Sequence, residues 1–179
     1  MLIHMPTGTG KTKTSMHIIT NYIEFTLQKK GLVIWVAHTI ELLEQAYKTF
    51  CDVWGHLGDG EISAYKLWGS HNIQDTSTEL NGIAFCGLSK LMSLYDSNPE
   101  LFERLKKDCR LVVFDEAHKA AADKTKRIIE NNDMYIIMYS SDPQLIRDRL
   151  AERGEDTAWE IDEQTKRYEE VVFYCYAND

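Results

Sequence analysis

Two short segments hold the residue types that phosphate chemistry requires. Thr7-Gly8-Thr9-Gly10-Lys11-Thr12, introduced by Met5-Pro6, places two glycines, a lysine and hydroxyls in one run. Gly8 and Gly10 can take backbone angles closed to other residues, which lets the main chain approach phosphate oxygens. The successive N–H groups from Thr7 onward line the same cradle. A helix opening at Lys11 adds the positive end of its dipole. Lys11 then reaches the terminal phosphates as a point charge. The Thr12 hydroxyl is offered to Mg2+, a hard cation that takes oxygen ligands and keeps several waters. Farther along the chain, Asp115-Glu116-Ala117-His118 supplies what is missing. Asp115 is the carboxylate for the metal, acting largely through water, and Glu116 polarises the attacking water as general base. Together the segments read as a site for ATP and Mg2+ in which Lys11, Asp115 and Glu116 are the catalytic groups.

Each segment alone also has a plain structural reading, the first as a turn and the second as the cap of a solvated helix. Their flanks decide for chemistry. The apolar run Leu2-Ile3-His4-Met5 before the glycines and the helical pattern after them make the strand, loop, helix context of a phosphate-binding loop. Leu111-Val112-Val113-Phe114 is a buried-strand run that leaves Asp115 at a strand end. One departure is visible: the common form of the loop begins with Gly or Ala five residues before the second glycine, where this chain has Met5.

The elements that must position these residues follow from periodicity. Met16, Ile19, Ile23 and Leu27 recur at helical spacing and stop at Lys29-Lys30-Gly31. A continuous apolar strand follows over 32–37, and Leu43, Ala46, Tyr47 and Phe50 mark the helix that returns from it. Glycines at 55, 58, 60 and 69 are expected to break 51–70 into loops around a strand near 62–67, and the polar, aperiodic stretch 72–81 is expected to be a mobile loop. A strand over 83–86, helices over 89–95 and 99–107, and the strand into Asp115 come next. A helix over 120–130, a strand over 134–139, helices through Leu145 and Leu150 and near 159–170, and a closing strand over 171–176 finish the chain. This alternation predicts a mainly parallel sheet covered on both faces: an α/β P-loop sandwich of three layers with the nucleotide at the carboxyl ends of the strands.

At 179 residues, 44% of them hydrophobic, the chain suits one domain with a full core. A formal charge of −8, from 28 acidic against 20 basic residues, opposes strong sequence-blind attraction to nucleic acid, so any grip on a strand must be local. Lys29-Lys30 and Lys106-Lys107 fall at helix ends, where dipole electrostatics accounts for them. No run reaches the length of a membrane span and no signal peptide opens the chain, so a cytoplasmic location without a membrane partner is expected. Cys51, Cys86, Cys109 and Cys175 lack the spacing of a zinc site and read as reduced thiols. Trp54, Tyr65 and Trp68 could offer a stacking surface to unpaired bases, but aromatics at such spacing more often fill a core. His56 and His71 read as loop residues without chemistry.

Taken together, these segments resemble the superfamily 2 helicases, and within them the DEAH-type bacterial helicases related to restriction-enzyme motor subunits. Residues 5–12 resemble motif I, the Walker A loop, and Asp115 to His118 resemble motif II in its DEAH spelling. Trp35-Val36-Ala37-His38-Thr39-Ile40-Glu41-Leu42-Leu43-Glu44-Gln45 resembles motif Ia, and Gly87-Leu88-Ser89-Lys90-Leu91 occupies the place of the next backbone-contacting segment. The resemblance implies a first RecA-like domain over 1–139. It also implies ATP and Mg2+ as cofactors and single-stranded nucleic acid as a weakly held partner, DNA favoured over RNA. It assigns Thr39 and Ser89 to strand phosphates and His118 to the link between the two sites. Read from the residues alone, Thr39 and Ser89 are equally helix N-caps, and one residue can do both. His118 alone reads as a core-edge histidine bonded to backbone.

The pattern then departs from the family. Relatives carry Thr/Ser-Ala-Thr-Pro after the next strand, whereas Ser140-Ser141-Asp142-Pro143 keeps the hydroxyl pair and the proline but not the Ala-Thr core, leaving Ser140 and Ser141 as coupling candidates. Relatives also carry an upstream glutamine that reads adenine and a second RecA-like domain with arginine fingers; neither is expected within this sequence. The expectation is half a motor, slow alone, that needs a second RecA-like domain or partner subunit. Residues 140–179 are expected to complete the same domain, and they resemble the lid and closing strand of guanylate kinases. That second resemblance makes Arg147, Arg149 and Arg153 candidate phosphoryl-binding groups, though they also read as a solvated face paired with Asp148 and Glu152. Two rival functions follow, a small nucleotide kinase and a non-catalytic nucleotide-binding module.

Overall fold

Every position of the run Leu32–Ala37 is buried, which a strand satisfies only when both faces of its sheet are covered. The computed structural model describes residues 2–4, 10–73, 79–115 and 135–140, the first and last of these as backbone. In chain order the elements are β1 (Leu2–His4), α1 (Lys11–Asn21) with a π-helical extension over Tyr22–Thr26, β2 (Leu32–Ala37), α2 (Ile40–Leu57), β3 (Ala64–Leu67), β4 (Gly82–Gly87), α3 (Leu88–Ser97), α4 (Pro99–Asp108), β5 (Cys109–Phe114) and β6 (Tyr135–Ser140). The strands form one sheet in the order β1-β6-β5-β2-β4-β3, and all five pairings are parallel. Parallel pairing sends every strand's carboxyl end to the same edge. The end of β1, the start of α2, the start of α3 and Asp115 therefore share that edge.

Side chains alternate between two cores as the pleat requires. Val33, Trp35 and Ala37 of β2, Ile83 and Phe85 of β4, and Leu111 and Val113 of β5 pack with Met16, Ile19 and Ile23 of α1 and with Leu43, Ala46, Phe50, Val53 and Trp54 of α2. On the other face Leu32, Ile34, Val36, Ala84, Cys86, Val112 and Phe114 pack with Leu91 and Leu94 of α3 and Leu101, Phe102 and Leu105 of α4. Each fully buried side chain of this size contributes about 1.5–3 kcal/mol, so the central strands hold the layers together. This is the three-layer α/β sandwich expected from the alternation of elements.

Several boundaries differ from expectation, each for a local reason. α2 continues through Gly55 to Leu57 instead of breaking into loops, because Val53 and Trp54 prolong the buried stripe of Leu43, Ala46 and Phe50. β3 is correspondingly short, covering 64–67. α1 ends in a π-helical turn with Leu27 N–H donating to the Tyr22 carbonyl, then Lys29 N–H to Ile23, while Gln28 and Lys29 take left-handed backbone angles. Lys29 lies 3.7 Å from Glu24 and also donates to the Asp59 carbonyl, so this lysine ties the end of α1 to the loop after α2. Lys106 and Lys107 occupy the last turn of α4, as helix-end electrostatics predicts. Trp54 and Trp68 are buried and Tyr65 packs against the second core, so these aromatics belong to the interior. Cys86 and Cys109 are buried; burial pushes both thiols up, Cys109 to about 12, while Cys51 is exposed. The expected elements over 120–130 and beyond 140, residues 74–78 of the loop, and Cys175 lie outside the described residues.

The amino ends of the strands are clamped around glycine. Gly31 N–H donates to Asn81 Oδ1 at 2.6 Å and its carbonyl accepts from Gly82 N–H at 2.9 Å, while buried Asp108 accepts from Leu80 N–H at 2.7 Å. Gly82 has φ +108, and a Cβ there would run into the Ser63 carbonyl oxygen. Gly82→Ala is accordingly expected to cost at least ~2 kcal/mol, combining left-handed strain with a backbone clash. A urea midpoint equal to that of the wild type would contradict this packing.

Candidate functional site

The start of α1 is built to receive an anion. Gly10, at φ +84, serves as its N-cap without a side-chain cap, and its carbonyl accepts from Thr14 N–H at 3.0 Å to open the helix. α2 and α4 begin with Glu41 and Glu100 in their first turns, whereas the first turn of α1 holds Lys11, Thr12 and Lys13 and no acid. Helix dipole and lysine charge therefore add in the same direction. The helix is anchored beneath this end by buried Met16, Ile19 and Ser15, whose Oγ donates to the Lys11 carbonyl at 2.6 Å.

Asp115 follows β5 directly. Its N–H donates to the Val36 carbonyl at 2.9 Å, extending the β5–β2 ladder by one bond and fixing the half-buried carboxylate at the strand end. Gly10, Lys11, Thr12 and Asp115 line one cleft of about 850 Å³. A cation and two hard oxygen donors, a hydroxyl and a carboxylate, thus border the same space. That donor set suits Mg2+, which takes few protein ligands and completes its shell with water and phosphate. Among the described residues no group of three or more His, Cys, Asp or Glu side chains could hold a metal ion on its own.

β6 lies between β1 and β5, with Ser140 paired to His4 and Met138 paired to Phe114. The Ser140 backbone therefore pairs with the end of β1 and stands at the carboxyl end of the strand that separates β1 from β5. Thr7, Gly8, Thr9, Glu116, His118 and Ser141 lie outside the described residues. Thr39 caps α2, its Oγ1 accepting from Leu42 N–H at 3.3 Å. Ser89 does not cap α3, because Gly87 takes that position and Ser89 becomes an exposed residue of the first turn. Both stand on the carboxyl edge, Thr39 after β2, the neighbour of β5, and Ser89 after β4, one strand farther from Asp115.

The cleft also continues between α1 and α2, where Lys13, His17, Gln45, Thr49, Asp52 and His56 line it. Sequence reading passes over all of these positions except His56, which it takes for a loop residue. The signal was present as a polar stripe at 45, 49, 52 and 56 beside the buried stripe at 43, 46, 50 and 53, but it was obscured once 51–70 was read as loop. His56 sits in the last turn of α2, so its assignment to a loop is corrected.

Residues 1–141 match the profile of the family described as the type III restriction enzyme, res subunit. No curated protein matches the chain. Among solved structures, the UvsW helicase from bacteriophage T4 superposes with a TM-score of 0.58 at 19% identity, over 80% of this chain and 47% of that one. The Hef helicase domain of Pyrococcus furiosus gives 0.59 at 24% identity, over 87% and 34%. Saccharomyces cerevisiae Dbp5 L327V bound to RNA and ADP BeF3 gives 0.59 at 15% identity, over 84% and 39%. The chain spans less than half the length of each. These likenesses establish a RecA-like α/β fold. Among the described residues no helix is long and apolar enough to cross a membrane.

Proposed function

The chain belongs to the family of the type III restriction enzyme res subunit, and from that premise we propose that it is the ATP-hydrolysing RecA-like half of a DEAH-type helicase or translocase. The observation that carries this reading is the single cleft bordered by Gly10, Lys11, Thr12 and Asp115. Lys11 and the first-turn N–H groups of α1 hold the terminal phosphates, with Thr7, Gly8 and Thr9 completing the cradle. Mg2+, held through the Thr12 hydroxyl and the Asp115 carboxylate, supplies neutralisation of phosphate charge. Glu116, the residue after Asp115, takes the proton of the attacking water. Ser140, Ser141 and His118 couple that step to the strand site, a role supported for Ser140 by its backbone position between the two halves of the nucleotide site.

The second substrate is a single nucleic-acid strand crossing the carboxyl edge at Thr39 and Ser89. Support comes from Ser89, exposed in the first turn of α3 beside the start of α2, and from Dbp5, which shares the fold and was captured with RNA and ADP BeF3. DNA is favoured over RNA because the family is named for a restriction enzyme. Arginine fingers belong to a second RecA-like domain, on the same or another chain, and contribute roughly 10³- to 10⁵-fold in related phosphoryl transfer, so the half-motor is slow alone. A cytoplasmic location goes with this function. The kinase alternative rests on 142–179, outside the described residues, and no observation favours it.

Equilibrium binding tests the metal assignment. Mg2+ is expected to tighten ATP binding by at least about tenfold in the wild-type chain, and Asp115→Asn to lose that gain, as removal of a metal-orienting group commonly costs 10- to 100-fold. ATP binding that is indifferent to Mg2+ in the wild type contradicts the assignment.

A further inference from the structure

Two lysines stand in the first turn of α1, and the phosphate role of Lys11 leaves Lys13 unaccounted for. At roughly 100° per residue, their side chains leave the helix about 200° apart, on opposite flanks of its axis. Lys13 shares its flank with His17, one turn farther on, and both line the cleft where it runs between α1 and α2, with Gln45 and Asp52 on the α2 wall. Asp115 borders that cleft as well, and its strand β5 is the neighbour of β2, from which the chain passes into α2. Lys13 therefore stands on the flank of α1 that faces α2 and the metal-binding carboxylate.

The fold alone gives no reason for a cation there. Lys13 is exposed and among the described residues forms neither an ion pair nor a hydrogen bond, so Asp52 across the groove is not its partner. The positive end of the helix dipole repels it, and the first turn holds no acid to offset that repulsion. In the free chain Lys13 thus lowers stability. A phosphate in the cleft reverses the sign, because ammonium and dipole then attract the same anion. ATP differs from ADP by its terminal phosphate and the negative charge that goes with it. In the complex proposed above, Mg2+ held by Thr12 and Asp115 marks where the terminal phosphates lie, and Lys13 stands on that flank. Its flexible four-carbon stem lets the ammonium follow the added phosphate, and three donors suit its oxygens.

We infer that Lys13 is a specificity-determining residue: it takes the terminal phosphate from the α2 side and makes the cleft prefer ATP to ADP. This rests on the ATP site proposed above. The test is calorimetric titration of the full chain with ATP and with ADP, each with Mg2+, at several salt concentrations. Lys13→Ala is expected to weaken ATP binding about 10-fold, the lower end for a hydrogen bond to a charged group, and ADP binding less than about 3-fold. Lys13→Arg is expected to keep the preference for ATP. In the wild type that preference is expected to shrink as salt rises, because an exposed pair is screened, and in Lys13→Ala to be small at every salt concentration. The urea midpoint of Lys13→Ala without nucleotide is expected to equal or exceed that of the wild type, since alanine removes the repulsion and favours the helix. Unchanged ATP affinity in Lys13→Ala, an equal loss for both nucleotides, or a lowered midpoint overturns the assignment while the ATP site stands. Failure of the wild-type chain to bind either nucleotide overturns both.

Discussion

Glu116→Gln is expected to lower ATP turnover about 10²- to 10⁴-fold while leaving ATP binding in place, the signature of a lost general base. Glutamine keeps the size and a hydrogen-bonding oxygen of glutamate but cannot accept the proton that the attacking water must shed. Binding, by contrast, draws on groups that this change does not touch: the helix start at Lys11 and Thr12, and Asp115 one residue earlier, whose place is fixed by its bond to the Val36 carbonyl. Because the chain is expected to be slow alone, the comparison is read from single-turnover rates over hours and not from steady-state velocity. Equal rates in both proteins would mean that the hydrolytic water uses another base, or that the chain binds nucleotide without catalysing its hydrolysis. A parallel collapse of binding would mean that Glu116 serves the metal.

Lys11→Ala separates binding from folding. Truncating one member of a charge pair costs roughly 2–5 kcal/mol, so ATP affinity is expected to fall about 30-fold or more. Loss of a preorganised charge at the transferring phosphoryl group costs a further 10²- to 10³-fold in rate. Lys11 is the first residue of α1 and only half-buried, and alanine is the best helix former, so stability without nucleotide is expected to fall by no more than ~1 kcal/mol, the range of a partly exposed polar contact. Thr14→Ala, on the exposed side of the same helix, is the matched control and is expected to bind ATP normally. Calorimetric titration with ATP, beside urea unfolding of the free proteins, checks both statements. Normal affinity in Lys11→Ala would remove the phosphate loop from the site.

How far the sequence discloses this molecule depends on the range of the forces involved. β2 is written plainly as an apolar run because a strand buried on both faces has no polar positions, and its bounds of 32–37 agree with the reading. Thr39 as a cap is equally local, since its hydroxyl reaches the N–H three residues on. The misreadings arise where tertiary burial overrides a local preference. Gly55 looks like a helix breaker, yet its cost of ~1 kcal/mol relative to alanine is small beside the burial of Val53 and Trp54 just before it, and α2 continues through it. Ser89 looks like a cap, but β4 runs on to Gly87 and the helix opens there, two residues early.

The site divides in the same way. The phosphate-loop lysine and the strand-end aspartate are legible because each motif carries its own flanks, although their approach to one cleft depends on β6 lying between β1 and β5, a strand order that no local pattern specifies. The kinase-like arginines Arg147, Arg149 and Arg153 lie outside the described residues and add nothing to the site as described.

The central claim is that one cleft binds Mg·ATP for hydrolysis and answers to a strand on the same edge of the sheet. Release of ADP from Mg·ATP by the purified chain, with and without single-stranded DNA and with Lys11→Ala as the blank, tests it most directly. The expected result is a slow rate above the blank that rises when the strand is added; a rate equal to the blank under both conditions contradicts the claim.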